Sequence, residues 1–207
     1  MQTIDKKLYC FWFGPPMSQT RQESLQKIKN LNTELDIVLV TEDNLSDYIV
    51  EPLHRGYTHL IPEHKADYLR CYFMHFYGGC YSDIKSPTGS WIQSIQDLEN
   101  SDCWFMGFYH PTAVWWCGPH IHLLASHYKN YLGDQGFICK PNTAFTTEWY
   151  EELMQTMGKN YHKLKNSPRP YPLKYKEILF DIIEPLWHKY ENKLLRTLPP
   201  LDCQNYL

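Results

Sequence analysis

The sequence predicts an α/β domain with a mostly parallel central sheet flanked by helices, and three observations lead to that class. Short apolar runs of strand length alternate with amphipathic segments of helical period from the N-terminus onward, the order that builds βαβ units. Gly and Pro clusters separate them, as at Gly14-Pro15-Pro16 and Gly78-Gly79. The chain has 207 residues, 43% of them hydrophobic, enough for one sizeable core and too few for two comfortable domains.

The elements follow in order. Residues 7–13 (KLYCFWF) form an aromatic, apolar first strand that the Gly-Pro-Pro loop stops. Ser18 caps a helix on which Leu25, Ile28 and Leu31 recur at helical spacing, and 36–41 (DIVLVT) is a second buried strand before Glu42-Asp43-Asn44. Strand, helix and strand at this spacing imply parallel pairing. Pro62 suits the first turn of a helix that reaches about residue 77 and stops at the two glycines. Pro62, Ala66, Leu69, Phe73 and Phe76 share its sheet-facing side, whereas Asp67 and Arg70 lie roughly 60° apart on its flank. Residues 80–82 then deliver Asp83 at the carboxyl end of a third strand, where open α/β sheets bind ligands.

The second half reads as a short helix over 91–98, a strand over 103–109 (CWFMGFY) and a weakly patterned stretch over 113–131 with Trp115, Trp116, His120, His122 and His127. A strand over 136–140, a helix over 145–157 ended by Gly158, a basic, proline-rich loop over 159–172 and a last helix over 173–190 complete the chain. There is no internal repeat and no low-complexity segment.

Composition narrows the function classes. A net charge of −3 and a pI near 6.3 give no general field for nucleic acid or an anionic membrane, so anion binding must come from a local cluster. Seven cysteines, an odd number without C-x-x-C spacing, imply reduced thiols of a cytoplasmic protein and no disulfide framework or zinc site. The polar start carries no signal peptide, and no apolar run approaches the roughly 20 residues of a membrane span. Membrane attachment would come from a partner or from a larger polypeptide of which this is part. The 16 Tyr and 7 Trp suit base and sugar recognition, although core packing must account for most of them.

Three features converge: the end of the first strand, the Asp67/Arg70 flank and Asp83. A nucleoside diphosphate needs a flat or edge-reading pocket for its base, carboxylates for its ribose, and a divalent cation or basic residues for its phosphates. The segments His64-Lys65-Ala66-Asp67-Tyr68-Leu69-Arg70 and Tyr77-Gly78-Gly79-Cys80-Tyr81-Ser82-Asp83 resemble the H-K-x-D-x-x-R and Y-G-G-x-Y-x-D-x-D signature of D-x-D sugar transferases. The run FWFG at 11–14 and residues 44–49 resemble family 32 and capsular-polysaccharide glycosyltransferases, and residues 171–172 and 185–190 are similar to the ending of the capsular group. The likeness covers nearly the whole chain and is densest over 44–85. In size the chain also resembles a compact glycosyltransferase domain of a large algal virus.

The resemblance implies a single GT-A-like domain, a glycosyltransferase with a nucleotide-sugar half over about 1–90 and an acceptor half with a C-terminal helix over about 91–207. By matching position, Lys65, Asp67 and Arg70 contact the nucleotide or donor sugar, Phe13 and Gly14 lie beside the base, and Thr41 lines the same pocket. Asp83 becomes the metal and donor residue. The donor is expected to be a UDP-sugar, the acceptor a glycan or glycoprotein, and the configuration retained.

Lys85 departs from the signature, which ends in Asp. In the favoured reading Asp83 alone holds Mn2+ or Mg2+ with phosphate oxygens and water. In the other, Lys85 substitutes for metal charge. Asp134, in Leu132-Gly133-Asp134-Gln135-Gly136, is the best second-half carboxylate, as base or cation stabiliser, with an ordinary turn residue equally common. The basic residues between 159 and 176 form either a lid over the phosphates or a solvated loop. His188 is either a late metal ligand or a helix-surface histidine. A non-catalytic nucleotide-sugar or carbohydrate-binding module on the same fold is the alternative. A Rossmann redox enzyme is excluded, because Gly14-Pro15-Pro16 stands where G-x-G-x-x-G is required.

Overall fold

A computed structural model describes residues 3–109, 132–167, 172–174 and 176–202. Strand β1 (Lys7–Phe11) leads through α1 (Gln19–Leu31) to β2 (Asp36–Val40), and α2 (Pro62–Phe76) leads to β3 (Gly79–Ser82). The second half contributes α3 (Ile92–Glu99), β4 (Phe105–Tyr109), β5 (Leu132–Cys139), α4 (Ala144–Asn166), α5 (Phe180–Lys189) and the two-residue β6 (Leu194–Leu195). The six strands form one sheet in the order β2-β1-β3-β5-β4-β6. Pairings β1·β2, β1·β3 and β4·β6 are parallel, whereas β5 runs antiparallel to both β3 and β4. The sheet is therefore mixed, and its parallel part carries the strand ends that matter.

Alternation along β1 splits the core in two, as period-2 side chains must. Tyr9 and Phe11 join a cluster under α2, α4 and α5, while Leu8 and Cys10 face the cluster around α1 and α3. Helix α2 is buried along the continuous run 67–74 because it is covered twice. Phe73 meets Tyr9 and Phe11 at ring centroid distances of 4.9 and 5.0 Å on the sheet side, and Tyr72 meets Tyr150 of α4 at 6.1 Å on the other. On α1, Ser18 caps the Arg21 amide as expected, but the buried stripe runs through Ser24 and Ile28. Leu31 lies about 60° off that stripe and is 40% exposed.

Several expected boundaries move. Strand β5 starts at Leu132, so Asp134 stands inside a strand and not in a turn before one. Helix α4 passes through Gly158 and ends at Asn166, held by buried Leu153, Met157 and Leu164 and by a Thr143/Thr146 capping box. The roughly 1 kcal/mol penalty of one mid-helix glycine is small against that burial. Lys159, His162, Lys163 and Lys165 therefore belong to a helix, not a loop, and Arg169 and Tyr171 fall outside the described residues, as do Trp115, Trp116, His120, His122 and His127. The last helix begins at Phe180 rather than 173. Of the described cysteines, Cys10, Cys71, Cys80 and Cys139 are buried and all are free thiols, Cys103 included. No helix among the described residues is long and apolar enough to cross a membrane.

Candidate active site

The carboxyl ends of β1 and β3 lie side by side because the two strands pair in parallel. Beyond β1, the Trp12 amide bonds the Val40 carbonyl at 2.9 Å and its indole Nε1 bonds the Pro15 carbonyl at 2.7 Å, folding the Phe13-Gly14 turn over the strand ends. Beyond β3, the Asp83 amide donates to the Gln135 carbonyl at 2.7 Å and the Lys85 amide to the Asp83 carbonyl at 2.8 Å. Arg21, in the first turn of α1, donates through Nη1 to the Ile84 carbonyl at 2.6 Å. These bonds pin the 83–85 turn between the sheet and α1.

A cavity of about 380 Å³ opens among these pieces. Trp12, Phe13, Gly14 and Pro15 form one wall, and Pro62, Glu63, Ala66, Asp67 and Arg70 of α2 face it. Phe11 and Tyr81 make the floor; Arg21, Asp83 and Lys85 close the remaining side. The volume is in the range of small-molecule and cofactor sites. A second cavity, of about 440 Å³ between α4 and α5, is lined by Glu148, Glu152, Glu177 and Asp181 and would repel a diphosphate.

Arg70 is the hub of the first cavity. Its Nη2 donates to Asp83 Oδ1 at 3.0 Å, its Nη1 to Asp134 Oδ2 and to the Asp134 carbonyl, both at 3.2 Å, and Nη1 lies 3.5 Å from Asp67 Oδ1. The guanidinium also sits 4.7 Å from the centre of the Tyr81 ring. The Tyr81 hydroxyl donates to Asp83 Oδ1 at 2.6 Å, and Lys85 Nζ to Asp83 Oδ2 at 2.9 Å.

This arrangement drives the three carboxylates apart. Burial pushes Asp83 upward, but Lys85, Arg70 and the Tyr81 hydroxyl overcome it and hold the acid at about 2. Asp67 is dominated by burial, which Arg70 only partly offsets, and rises to about 7. Burial also raises Asp134 against the opposing Arg70. Asp83 is thus the ionised member of the cluster, whereas Asp67 exchanges its proton close to neutral pH.

Of the residues singled out in the sequence, the cavity gathers Phe13, Gly14, Asp67, Arg70, Asp83 and Lys85. Asp134 stands behind Arg70 on β5, Thr41 follows β2 and gives its amide to Asn44 Oδ1 at 2.8 Å, and Lys65 pairs with Glu42; none of the three lines the cavity. His188 is exposed at the end of α5. Sequence reasoning missed Arg21 and Tyr81. The signal for Arg21 was its place in the first turn of the helix that follows β1, the end of a βα unit that faces ligands.

The donor set fits a divalent cation poorly. Each Asp83 oxygen already receives a charged donor, and Asp67 and Asp134 turn to Arg70. Among the described residues no three His, Cys, Asp or Glu side chains gather as metal ligands. A divalent ion sharing Asp83 with the Lys85 ammonium at about 4 Å would meet a repulsion of about 8 kcal/mol at an effective dielectric near 20.

No family model and no curated protein matches the chain. Solved structures do. PaToxG glycosyltransferase superposes with a TM-score of 0.58 over 91% of this chain and 70% of its own, at 13% sequence identity. WbbM, a bifunctional glycosyltransferase, gives 0.51 over 94% of this chain and 38% of its own, at 8% identity. The chain thus has a fold found in glycosyltransferases, of the GT-A-like α/β class, and spans only part of each of those proteins.

Proposed function

We propose that the chain is a glycosyltransferase that moves a sugar from a nucleotide-sugar, best a UDP-sugar, to a hydroxyl of a glycan or glycoprotein. One observation carries this reading. A cavity of suitable size lies at parallel strand ends, lined by aromatic side chains and by an ionised Asp83 beside cationic side chains. The shared fold of solved glycosyltransferases supports it.

In the transfer, the bond from the anomeric carbon to the β-phosphate oxygen breaks and its electron pair leaves with the diphosphate. The acceptor oxygen forms the new bond and its proton passes to the departing phosphate. Phe13 and Gly14 receive the base, Asp67 the ribose, and Asp83 the donor sugar as its carbon gains positive charge. Arg70 keeps Asp67 and Asp83 in register. Retention of configuration is the outcome we favour, with Asp134 turned into Arg70 and not lining the cavity as a base.

The test is UDP release and sugar transfer from a panel of UDP-sugars. Asp83→Asn is expected to lower kcat/KM at least about 100-fold. Tight donor binding without release from any donor would favour the binding-module alternative.

A further inference from the structure

We infer that the donor diphosphate is neutralised by the chain's own cations, Lys85 and Arg21, and that transfer proceeds without a divalent metal. The inference rests on the transferase reading above and deepens it.

Lys85 stands two residues after Asp83, on the same turn at the end of β3. It is not swung into solvent, since its side chain is 7% exposed, sits on the cavity wall and is held 2.9 Å from Asp83 Oδ2. Its backbone is fixed by the tight turn to the Asp83 carbonyl at 2.8 Å. Arg21 reaches the same wall from α1, and its bond to the Ile84 carbonyl places it against the backbone between Asp83 and Lys85. A further link between α1 and this turn joins Ser24 Oγ and Ser86 Oγ at 3.4 Å. Two cations, each anchored by the turn that carries Asp83, thus border one side of a cavity that aromatic side chains also line.

Two cations match the diphosphate in the ground state, and the acceptor proton offsets the charge that cleavage adds. A sugar nucleotide brings a diphosphate with two negative charges, and bond cleavage adds a third on the β-phosphate oxygen. Lysine binds phosphate as a compact point charge and arginine as a fork, so the pair can replace both the charge and the bridging of a metal. Asp83 then remains free of metal ligation and faces the sugar. No redox partner is required: one C–O bond breaks, one forms, and the acceptor proton ends on the diphosphate or in water.

The experiment uses the full chain with UDP-glucose, UDP-galactose, UDP-N-acetylglucosamine and UDP-N-acetylgalactosamine, each with EDTA and with Mn2+ or Mg2+. The expected result is UDP release in EDTA within about twofold of the rate with metal, the change that loss of no ligand would give. Lys85→Gln is expected to weaken UDP binding at least about tenfold in both conditions, the loss of one charge-assisted contact. Lys85→Asp, which adds a second carboxylate beside Asp83, is expected to gain dependence on Mn2+. Wild-type activity abolished by EDTA and restored by Mn2+ would overturn the inference and leave the transferase reading standing. Absence of both UDP binding and UDP release in every condition would overturn the two together. Should Lys85→Gln fail to fold, the wild-type EDTA comparison alone decides.

Discussion

Arg70 answers three carboxylates with one guanidinium, and that imbalance is where the site stores its sensitivity. Replacing it with Ala strands Asp67, Asp83 and Asp134 without their common partner, all of them buried or nearly so. Removing one member of a buried charge cluster costs roughly 3–5 kcal/mol, so Arg70→Ala is expected to lower the urea midpoint sharply, and a variant within 1 kcal/mol of wild type would contradict the hub role. Asp67 gives a finer test. Its folded value of about 7 stands above the reference 3.8, so the folded chain holds that proton more tightly than the unfolded chain. Stability from this group is full below about pH 4 and declines as pH rises through 7, by a few kcal/mol at most. Asp67→Asn should therefore flatten the fall in unfolding free energy between pH 4.5 and 7.5, measured by urea titration at both values. Asp83 acts in the opposite sense, because its depressed value of about 2 makes its contribution fade only as pH falls from about 4 towards 2.

At the scale of elements, two glycines that look alike in the sequence have opposite duties. Gly78 holds φ +65° at the end of α2, and a Cβ there would meet Pro141 Cδ at 2.5 Å and the Cys139 carbonyl oxygen at 2.9 Å. Gly158 lies inside α4 with nothing within 4 Å of its Cβ position. Gly78→Ala is expected to cost more than about 1 kcal/mol through strain and clash, whereas Gly158→Ala should gain about 0.5–1 kcal/mol by improving helix propensity. Chemical denaturation of the two variants reads both signs, and equal effects would contradict the distinction. The same contrast explains what was legible in the sequence. Periodicity and stop signals located β1, α1, β2, α2 and β3 to within about two residues, because local pattern and tertiary burial agree there. They failed at Gly158, where buried Leu153, Met157 and Leu164 override a breaker, and at β5, whose start Leu132-Gly133-Asp134 resembles a turn until its pairing with β4 is known. The two-residue β6 offered no period to read.

For the molecule as a whole, the site was half legible for a related reason. Asp67, Arg70 and Asp83 occur close together in sequence, and the helix and strand that carry them could be drawn from pattern alone. Arg21, Tyr81 and the withdrawal of Asp134 behind Arg70 depend on which strands become neighbours, information held in long-range pairing. That pairing also decides where a donor nucleotide can act on the entire domain, since the cavity joins the β1 loop, α1, α2 and the 83–85 turn. A ligand that bridges these elements in the folded state and finds none of them assembled in the unfolded chain must raise the unfolding temperature by mass action. At 100 times its dissociation constant UDP would add about 2.7 kcal/mol, which for a domain of this size is a shift of roughly 5–10 °C. Uridine, lacking the diphosphate, should shift Tm much less at equal concentration, and the difference should shrink in Arg21→Gln, which loses a cation from the cavity wall. Thermal unfolding of wild type and Arg21→Gln with each ligand measures it. A UDP shift that Arg21→Gln leaves intact would place the diphosphate away from the α1 side of the cavity, and an equal shift by uridine would mean that the base alone is recognised.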